Sequence, residues 1–455
     1  MIQSIRPTER RYPLLYWTTF AYLVGVPNFV HFDVTGRVGN ALNLTSISTI
    51  VLACIAGYLL TMFLIFDRRP LMARKVDVKL WLWVLLLIEL LVGVALHPAT
   101  RLTSPSTVGS LLSCFRLGQW VVAFCLVLAL YTRTPAEHGT ELVVRLLGRV
   151  SWTWMVLVWT MLPIFPDQVY GSSDDPLQAT VRRLGGQLLH PAHVAFLASV
   201  AFFYSLFFFP RGPRKWAACA FAVITLVLTG SRAQQAGFLL AILAYAFVLS
   251  RKPIFRWGAL FTAIVAAPIG LLLSSGLIKF VGRGQAMKSL ASLNDRTRIW
   301  QASLEAILQR PIVGYGYSVG ARGAIHDHWR FAHWIPPHAH NEFIEIALDG
   351  GVIALAILVF LYGLVFWKSL RAARCGPMHL FVFLVFCQYC LNTITGSEFS
   401  YQYLGTGGLL LLTFIGVLAD SPFPRRMKLR SRSADPAYSF AASAPQPWLD
   451  SPSTQ

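Results

Sequence analysis

Charged side chains are scarce in this chain, and their scarcity excludes a water-soluble globular fold. Of its 455 residues only 13% are charged, whereas 55% are hydrophobic, and the mean hydropathy is +0.57. A soluble protein of this length needs more polar surface than these residues supply. Apolar runs of about 20 residues, the length that crosses a bilayer as a helix, recur along the chain. The sequence therefore predicts an all-α polytopic membrane protein, surrounded by membrane lipids.

The apolar runs predict about twelve transmembrane helices. They cover residues 14–31, 44–66, 79–97, 110–131, 147–165, 190–210, 215–229, 235–249, 256–275, 346–367, 378–396 and 401–419. Residues 1–275 then hold spans one to nine, residues 276–345 form a long outer loop, and residues 346–419 hold spans ten to twelve. Residues 420–455 are rich in Arg, Ser, Pro and Ala, a composition typical of a disordered tail.

Acidic residues are half as numerous as basic ones, 20 against 39, which gives a formal charge of +19. Nucleic acid is not the expected partner, because the basic residues are spread over alternate loops. Most lie in the N-terminal segment, the C-terminal tail and the loops that follow even-numbered spans. Cytoplasmic segments carry such an excess, so both termini are predicted to be cytoplasmic. Long loops escape this rule, and the basic outer loop suits an anionic partner.

Disulfides and a signal cleavage site are also lacking. Six of the seven cysteines fall in predicted spans and the seventh, Cys375, lies in a cytoplasmic loop, so none can brace the outer loop. No small-residue cleavage site follows the first apolar run, which is therefore expected to remain as span one.

Within the outer loop, residues 296–308 have the pattern of an amphipathic helix. Asn294 or Asp295 is its expected N-cap, and Pro311 follows its end, ahead of a tight turn at residues 314–316. Its apolar stripe is expected to lie on the bilayer or to pack on the spans. The stripe consists of Ile299, Trp300, Ser303, Leu304, Ile307 and Leu308.

Histidines are concentrated just before span ten, where five of the 11 lie between residues 324 and 341. They are His326, His328, His333, His338 and His340. The first three are expected to face solvent, whereas the last two belong to the segment Pro336–Glu342, which runs directly into the span. A histidine, with an ordinary pKa near about 6.5, can act as a general base at neutral pH, and His340 is the candidate.

Simpler explanations for these residues stay open. His338 and His340 could be metal ligands, because paired histidines are common ligands. Asn341 could either cap span ten or orient His340. Glu342 and Glu345 suit the N-terminal end of a helix dipole without any catalytic role.

Arg232 is a second outer candidate, in the short sequence Thr229-Gly230-Ser231-Arg232 between spans seven and eight. It could be an arginine that snorkels to the membrane rim. It could also clamp phosphate, whose oxygens match the forked donors of a guanidinium.

Further charged residues lie near other spans. His190 and His193, one turn apart at the start of span six, could line a donor site together with Arg182 and Arg183. Buried charges are costly in lipid. Two of them, in spans three and four, could form an ion pair or lie on a substrate path; they are Glu89 and Arg116.

Four short motifs, taken in order, resemble those of the O-antigen ligase and polymerase superfamily, over about residues 190–400. They are Thr229-Gly230-Ser231-Arg232, Arg296 four residues before Trp300, Pro311-Ile312-Val313-Gly314-Tyr315-Gly316, and His340-Asn341 followed by Gly350-Gly351. The chain departs from the family at one position. Ligases place His-Asn nine residues ahead of a Gly-x-x-Gly pair, and here Ala354 stands at the second glycine.

The resemblance implies inverting glycosyl transfer at the periplasmic face of a Gram-negative inner membrane, by a GT-C-like fold. The donor would be a glycan on undecaprenyl pyrophosphate, and the acceptor a sugar hydroxyl of lipid A-core. His340 would be the base, and Arg232 and Arg296 would stabilise the departing pyrophosphate. The arginines would replace a metal, which suits the absence of an outer Asp-x-Asp pair, so no metal or cofactor is expected. The expected substrate-binding residues are Arg182, Arg183, His190, His193, Arg298, His338 and Asn341.

Other functions compete with that of a ligase. An O-antigen polymerase or a protein O-oligosaccharyltransferase of the same superfamily would share the donor and the arginines. Twelve spans also suit a secondary transporter or flippase. Transporters, however, place their site near the bilayer midplane and often show inverted repeats, whereas this sequence has its polar cluster outside and no visible repeat.

Overall fold

The computed structural model describes residues 12–25, 44–66, 78–96, 107–134, 138–172, 182–186, 190–249, 296–330, 336, 338–396 and 406–419. Its helices are α1 (Pro13–Gly25), α2 (Leu44–Phe66), α3 (Trp81–Leu96), α4 (Thr107–Arg133), α5 (Gly139–Met161), α6 (Pro166–Val169), α7 (Pro191–Phe208), α8 (Pro213–Thr229), α9 (Arg232–Leu249), α10 (Arg296–Gln309), α11 (Val319–His328), α12 (Glu342–Ala372), α13 (Pro377–Thr395) and α14 (Thr406–Ala419). A 3-10 turn (Val78–Leu80) precedes α3, and two short strands, β1 (Tyr170–Ser172) and β2 (Arg182–Leu184), lie between α6 and α7.

Eleven of these helices coincide with predicted spans, which confirms an all-α, multi-pass membrane protein. By length and composition, α4, α5, α7, α12 and α13 can each cross a membrane, and shorter apolar helices lie within α2, α3, α9 and α14. The predicted span over residues 256–275 and the predicted tail over residues 420–455 lie outside the described residues. The antiparallel pair β1–β2 was not predicted, and it adds a small hairpin to the connection between α5 and α7.

The helix α9 packs closely along α13. A Cβ on Gly237 would lie 3.2 Å from the backbone oxygen of Gln388. Buried Gln234 donates to Asn392 Oδ1 and accepts from Gln388 Nε2 at 3.4 Å. Small residues let helices approach each other in lipid, and amide hydrogen bonds add to their association. These contacts hold the start of α9, which carries Arg232, against the end of α13.

Arginine–aromatic pairs gather at helix ends that the charge pattern predicts to be cytoplasmic. Arg149 donates to Tyr16 Oη at 2.7 Å and lies 5.4 Å from the centre of that ring, and Arg371 lies 4.1 Å from the centre of the Trp367 ring. Such pairs are typical of a membrane interface. Because α12 begins next to His340 and ends next to Arg371, these pairs lie at the end of the bundle opposite to His340. The orientation relative to the cytoplasm stays a prediction.

The helix α12 is broken near its second turn, where the sequence predicted an uninterrupted span. Gly350 and Gly351 have non-helical backbone angles, with φ of +68° at Gly351. The Pro311–Gly316 turn lies against this break so closely that a Cβ on Gly351 would collide with the backbone oxygen of Ile312. Ala354, which replaces the second family glycine, is fully buried one turn later without distortion of the helix.

Backbone hydrogen bonds lock the turn into the break. Tyr315 N and Gly316 N donate to carbonyls of α12 at 2.7 and 2.9 Å, and Val352 N donates back to Pro311 O at 2.7 Å. The carbonyls freed by the break thus find partners in the turn. Two of the four sequence motifs are therefore the two halves of one structural joint.

The helix α10 has the predicted extent but a different buried face. Its buried residues are Ile299, Ala302, Ser303 and Ala306. Leu304 and Leu308, which belong to the predicted apolar stripe, are 53% and 79% exposed, so these two residues do not pack on the spans, and their contact with the bilayer stays a prediction. Small alanines let α10 approach α11 and α12 closely, and this packing selects the alanine face over the leucines.

Candidate active site

The candidate site forms where α10, α11 and the first turns of α12 meet. Small apolar side chains from the three helices and the preceding segment build a buried cluster of their own. Its members are Ala306, Ala321, Ala324, Ile325, Ala339 and Leu348. Because Ala339 belongs to this cluster, the histidines on either side of it are held between α10 and α12.

His338 and His340 form a tight turn with their rings in contact. His340 has a φ of +50°, a conformation that costs a residue with a Cβ about 1–3 kcal/mol and that the surroundings must therefore enforce. Its N–H donates to His338 Nδ1 at 3.2 Å, and the two ring centroids lie 3.9 Å apart. Because Nδ1 of His338 accepts this bond, the neutral His338 ring carries its proton on Nε2.

Asn341 is the N-cap of α12. Its Oδ1 accepts from the N–H groups of Phe343 and Ile344 at 3.0 and 3.2 Å, and its Nδ2 donates to Ile394 O at 3.2 Å. Asn341 therefore has the helix-capping role that the sequence left open. The bond to Ile394 O also connects the N-terminal end of α12 to the C-terminal end of α13. Substrate contact by Asn341 stays a prediction.

Charged groups from distant segments converge on this turn. Arg296 at the start of α10 and His190 at the N-cap of α7 both act electrostatically on His340. Arg232 at the start of α9 acts in turn on Arg296. The structure thus brings together four predicted site residues, His190, Arg232, Arg296 and His340, from three different helices and the turn before α12, at one end of the bundle.

This environment keeps both histidines neutral. Burial, then the charges of Arg296 and His190, lowers the pKa of His340 to about 3. The pKa of His338 lies well below its usual range, first because of burial and then because of neighbouring His340, His190 and cations. A neutral imidazole can accept a proton, so His340 is available as a base at neutral pH.

The two arginines favour an anion between them. Burial lowers the pKa of the Arg296 guanidinium, and the nearby positive charge of Arg232 lowers it further. Arginine nonetheless stays protonated in proteins. Two partly buried guanidinium groups that repel each other gain stability from a negative ligand, and phosphate oxygens match their donors.

Other predicted site residues lie elsewhere around the site. Arg182 pairs with Asp167 at 3.5 Å and is 66% exposed, while Arg298 is exposed on α10. His193 is buried one turn into α7, with its ring centroid 5.9 Å from that of His190. Arg183 is partly buried on β2. The substrate-binding roles given to these residues stay predictions.

Sequence reasoning missed the contacts that three residues make at the site. Arg322 on α11 is close enough to lower the pKa of His338, but α11 itself was not predicted. Trp300 Nε1 donates to Ala339 O at 3.0 Å, and Glu345 Oε2 accepts from Ala339 N at 2.5 Å. Glu345 was considered only as a helix-dipole residue. Glu345 follows Asn341 by four residues, about one helical turn. This spacing is the sequence signal that could have placed its side chain next to the histidine turn.

Arg116 takes part in a clamp on the segment that follows the Pro311–Gly316 turn. Its guanidinium donates to Ser318 Oγ, and Ser318 N donates to Asp349 Oδ1 at 2.7 Å. Glu89 lies beside the break in α12, where a Cβ on Gly350 would be 3.7 Å from its Cγ. The ion pair between Glu89 and Arg116 stays a prediction.

A metal site at the histidine pair is the remaining alternative. Within the described part of the chain, no group of three His, Cys, Asp or Glu side chains is arranged to hold a metal ion. His338 Nδ1 is already engaged by the N–H of His340. Metal independence itself stays a prediction.

Comparison with known families places this geometry in a protein class. Residues 217–359 match the family model described as O-antigen ligase, a range that contains Arg232, Arg296, the histidine turn and the broken part of α12. The chain is therefore a multi-pass membrane protein in which residues 217–359 are similar to the O-antigen ligase family, and the resemblance to this superfamily is confirmed.

A relative of the same kind is the exopolysaccharide production protein ExoQ of Rhizobium meliloti (strain 1021). It is 26% identical over 128 residues, which make up 27% of this chain and 28% of the relative. The chain thus matches only about 28% of the length of that protein.

Proposed function

We propose that this protein is an O-antigen ligase in lipopolysaccharide biosynthesis. It transfers a polysaccharide from undecaprenyl pyrophosphate to a sugar hydroxyl of lipid A-core. The observation that carries the proposal is that Arg296 interacts electrostatically both with neutral His340 and with Arg232. A base for a hydroxyl and a pair of cations for a pyrophosphate are what this reaction requires at one place.

In the proposed reaction His340 takes the proton of the acceptor hydroxyl as its oxygen attacks the anomeric carbon. The bond from that carbon to the pyrophosphate oxygen breaks, and its electron pair leaves with the pyrophosphate. Arg232 and Arg296 stabilise the negative charge that develops there, more in the transition state than in the ground state. One displacement of this kind inverts the anomeric configuration.

Donor binding also strengthens the base. The positive charge of Arg296 is one cause of the low pKa of His340. A pyrophosphate bound at the arginines offsets that charge, so the pKa of His340 rises when the donor is present. The imidazole thus becomes a better proton acceptor only when there is a glycan to transfer.

The proposed location is the periplasmic face of the inner membrane. The positive-inside pattern supports it, since it puts both termini in the cytoplasm and the outer loop with its histidines in the periplasm. The lipid-linked donor and the lipid A-core acceptor both lie in the membrane plane, and the mouth of α12 meets them there.

A polymerase is the second candidate, and similarity to an exopolysaccharide production protein favours it. It would use the same donor and base, but its acceptor would be another lipid-linked glycan. A deletion strain separates the two functions. Long lipid-linked polymer together with uncapped lipid A-core supports the ligase. Accumulated single repeat units support the polymerase and contradict our proposal. Plasmid-borne wild-type protein must restore capping.

A further inference from the structure

The backbone around His340 is held on both sides by side chains that sequence reasoning did not connect with it. Ala339 O accepts from the indole N–H of Trp300 on α10 at 3.0 Å. Ala339 N donates to the Glu345 carboxylate on α12 at 2.5 Å. The peptide groups immediately before His340 are thus fixed from two different helices.

Glu345 contacts the turn twice. Besides the bond from its carboxylate to Ala339, its own N–H donates to Asn341 O at 2.9 Å, the first hydrogen bond of α12. Glu345 is 1% exposed, so its carboxyl group lies away from water and faces the backbone of the histidine turn, and burial raises its pKa well above the usual range. One residue therefore spans the segment on either side of His340.

This bracing is needed because His340 adopts a left-handed conformation, with φ of +50°. Such a conformation persists only where surrounding contacts over-determine it. Without them, the segment would relax and the imidazole would turn away from Arg296.

We infer that Glu345, assisted by Trp300, is a positioning residue that holds the His338–His340 turn in its left-handed form and so aims His340 at the arginine pair. This inference rests on the proposed function in one respect, namely that His340 is the base. The geometric part, that Glu345 and Trp300 hold the turn, can be tested without any transfer reaction.

The test measures the reactivity of His340 toward diethyl pyrocarbonate in detergent-purified protein, quantified by mass spectrometry. Glu345→Ala removes the acceptor for Ala339 N, and Trp300→Phe removes the indole donor but keeps an aromatic ring. Glu345→Gln keeps an acceptor oxygen. Glu342→Gln is the matched control, since it removes an equally buried carboxylate one turn earlier on the same helix. Elution as a single monodisperse peak shows that each variant is folded.

We expect carbethoxylation of His340 to become several-fold faster in Glu345→Ala and in Trp300→Phe, to change less in Glu345→Gln, and to stay at the wild-type rate in Glu342→Gln. Unchanged reactivity in both Glu345→Ala and Trp300→Phe overturns the inference. If Glu345→Ala does not fold, Trp300→Phe decides the question, and wild-type reactivity in that variant overturns the inference.

Transfer kinetics on the same variants separate this inference from the proposed function. If the turn loosens and kcat falls with little change in KM for the donor, both stand, because the arginines still bind the donor. If the turn loosens while kcat stays at the wild-type level, the positioning role stands and His340 is not the base.

Discussion

Gly351 lies so close to the backbone oxygen of Ile312 that no side chain fits between them. This relationship joins the break in α12 to the Pro311–Gly316 turn, which in turn connects α10 to α11. Both helices carry charges of the candidate site. The position of the site relative to the bundle therefore depends on a glycine that touches no substrate.

We expect Gly351→Ala to destabilise the protein by about 1–3 kcal/mol from its backbone angles alone, φ +68° and ψ −166°, which essentially only glycine adopts, with additional loss from the collision with Ile312. Gly363→Ala in the same helix is the control, because a Cβ there meets nothing within 4 Å. Thermal unfolding of the purified variants should show a lower Tm for Gly351→Ala only. Equal Tm values for both variants would mean that the joint does not constrain α12.

Arg232→Lys should impair transfer although it retains the positive charge. The guanidinium fork that matches two phosphate oxygens is lost, and a lost charge-assisted hydrogen bond corresponds to about 10-fold or more in kcat/KM. Arg330→Lys, at an exposed residue that pairs with Glu305, should leave kcat/KM unchanged. Wild-type kinetics for Arg232→Lys would identify this residue as an anchor at the membrane rim.

The acid side of the pH profile should be flat where an ordinary histidine would titrate. Because the pKa of His340 is lowered to about 3, its neutral form persists as the pH falls through about 6.5. The profile of kcat/KM, which reports the free enzyme, should show no loss between about pH 7 and pH 5 from this group. A decrease with a midpoint near about 6.5 would contradict the environment described for His340.

The same pKa shift makes stability depend on pH. His340 takes up a proton near about pH 6.5 when unfolded but only near pH 3 when folded. Protons therefore favour the unfolded state between these values, and stability from this group is complete above about pH 6.5 and is lost as the pH falls toward 3. The free energy of unfolding, measured by chemical denaturation at several pH values, should fall more steeply with decreasing pH in the wild type than in His340→Ala. The same pH dependence in both proteins would argue against the lowered pKa of His340.

Chelation should leave the reaction unchanged, because in the proposed reaction Arg232 and Arg296 supply the positive charge that other transferases take from a metal. Transfer is measured after dialysis against EDTA, and again after a divalent metal is added back. Activity that disappears with EDTA and returns with the metal would revive the histidine pair as a metal site.

Much of the fold follows from hydropathy, because a bilayer requires apolar runs long enough to cross it. The break at Gly350–Gly351 does not follow from hydropathy, because hydropathy is averaged over a whole span. The glycine pair is the sequence signal for the break. The stripe with Leu304 and Leu308 was expected to lie on the bilayer or to pack on the spans, and close packing buried the alanines of α10 instead. A local pattern cannot reveal which face of a helix its neighbours approach.

The residues of the candidate site could be predicted only in part, because some of them meet only through the packing of distant segments. Arg232, Arg296 and His340 stand in short motifs that are weak individually but, taken in order, resemble those of one superfamily. Arg322 and Trp300 acquire their place only through the packing of α10 and α11 on α12. Glu345 looked like an ordinary helix-start carboxylate, because the left-handed turn at His340 that it faces is invisible in the sequence.

The central claim is that His340 is the base of a glycosyl transfer, and an in vitro transfer assay on His340→Ala tests it most directly. The assay uses purified lipid-linked polysaccharide and lipid A-core, with His328→Ala on α11 as the matched control. We predict a loss of about 10²–10⁴ in kcat for His340→Ala, the usual contribution of a general base, and wild-type kcat for His328→Ala. Wild-type kcat in folded His340→Ala would contradict the account.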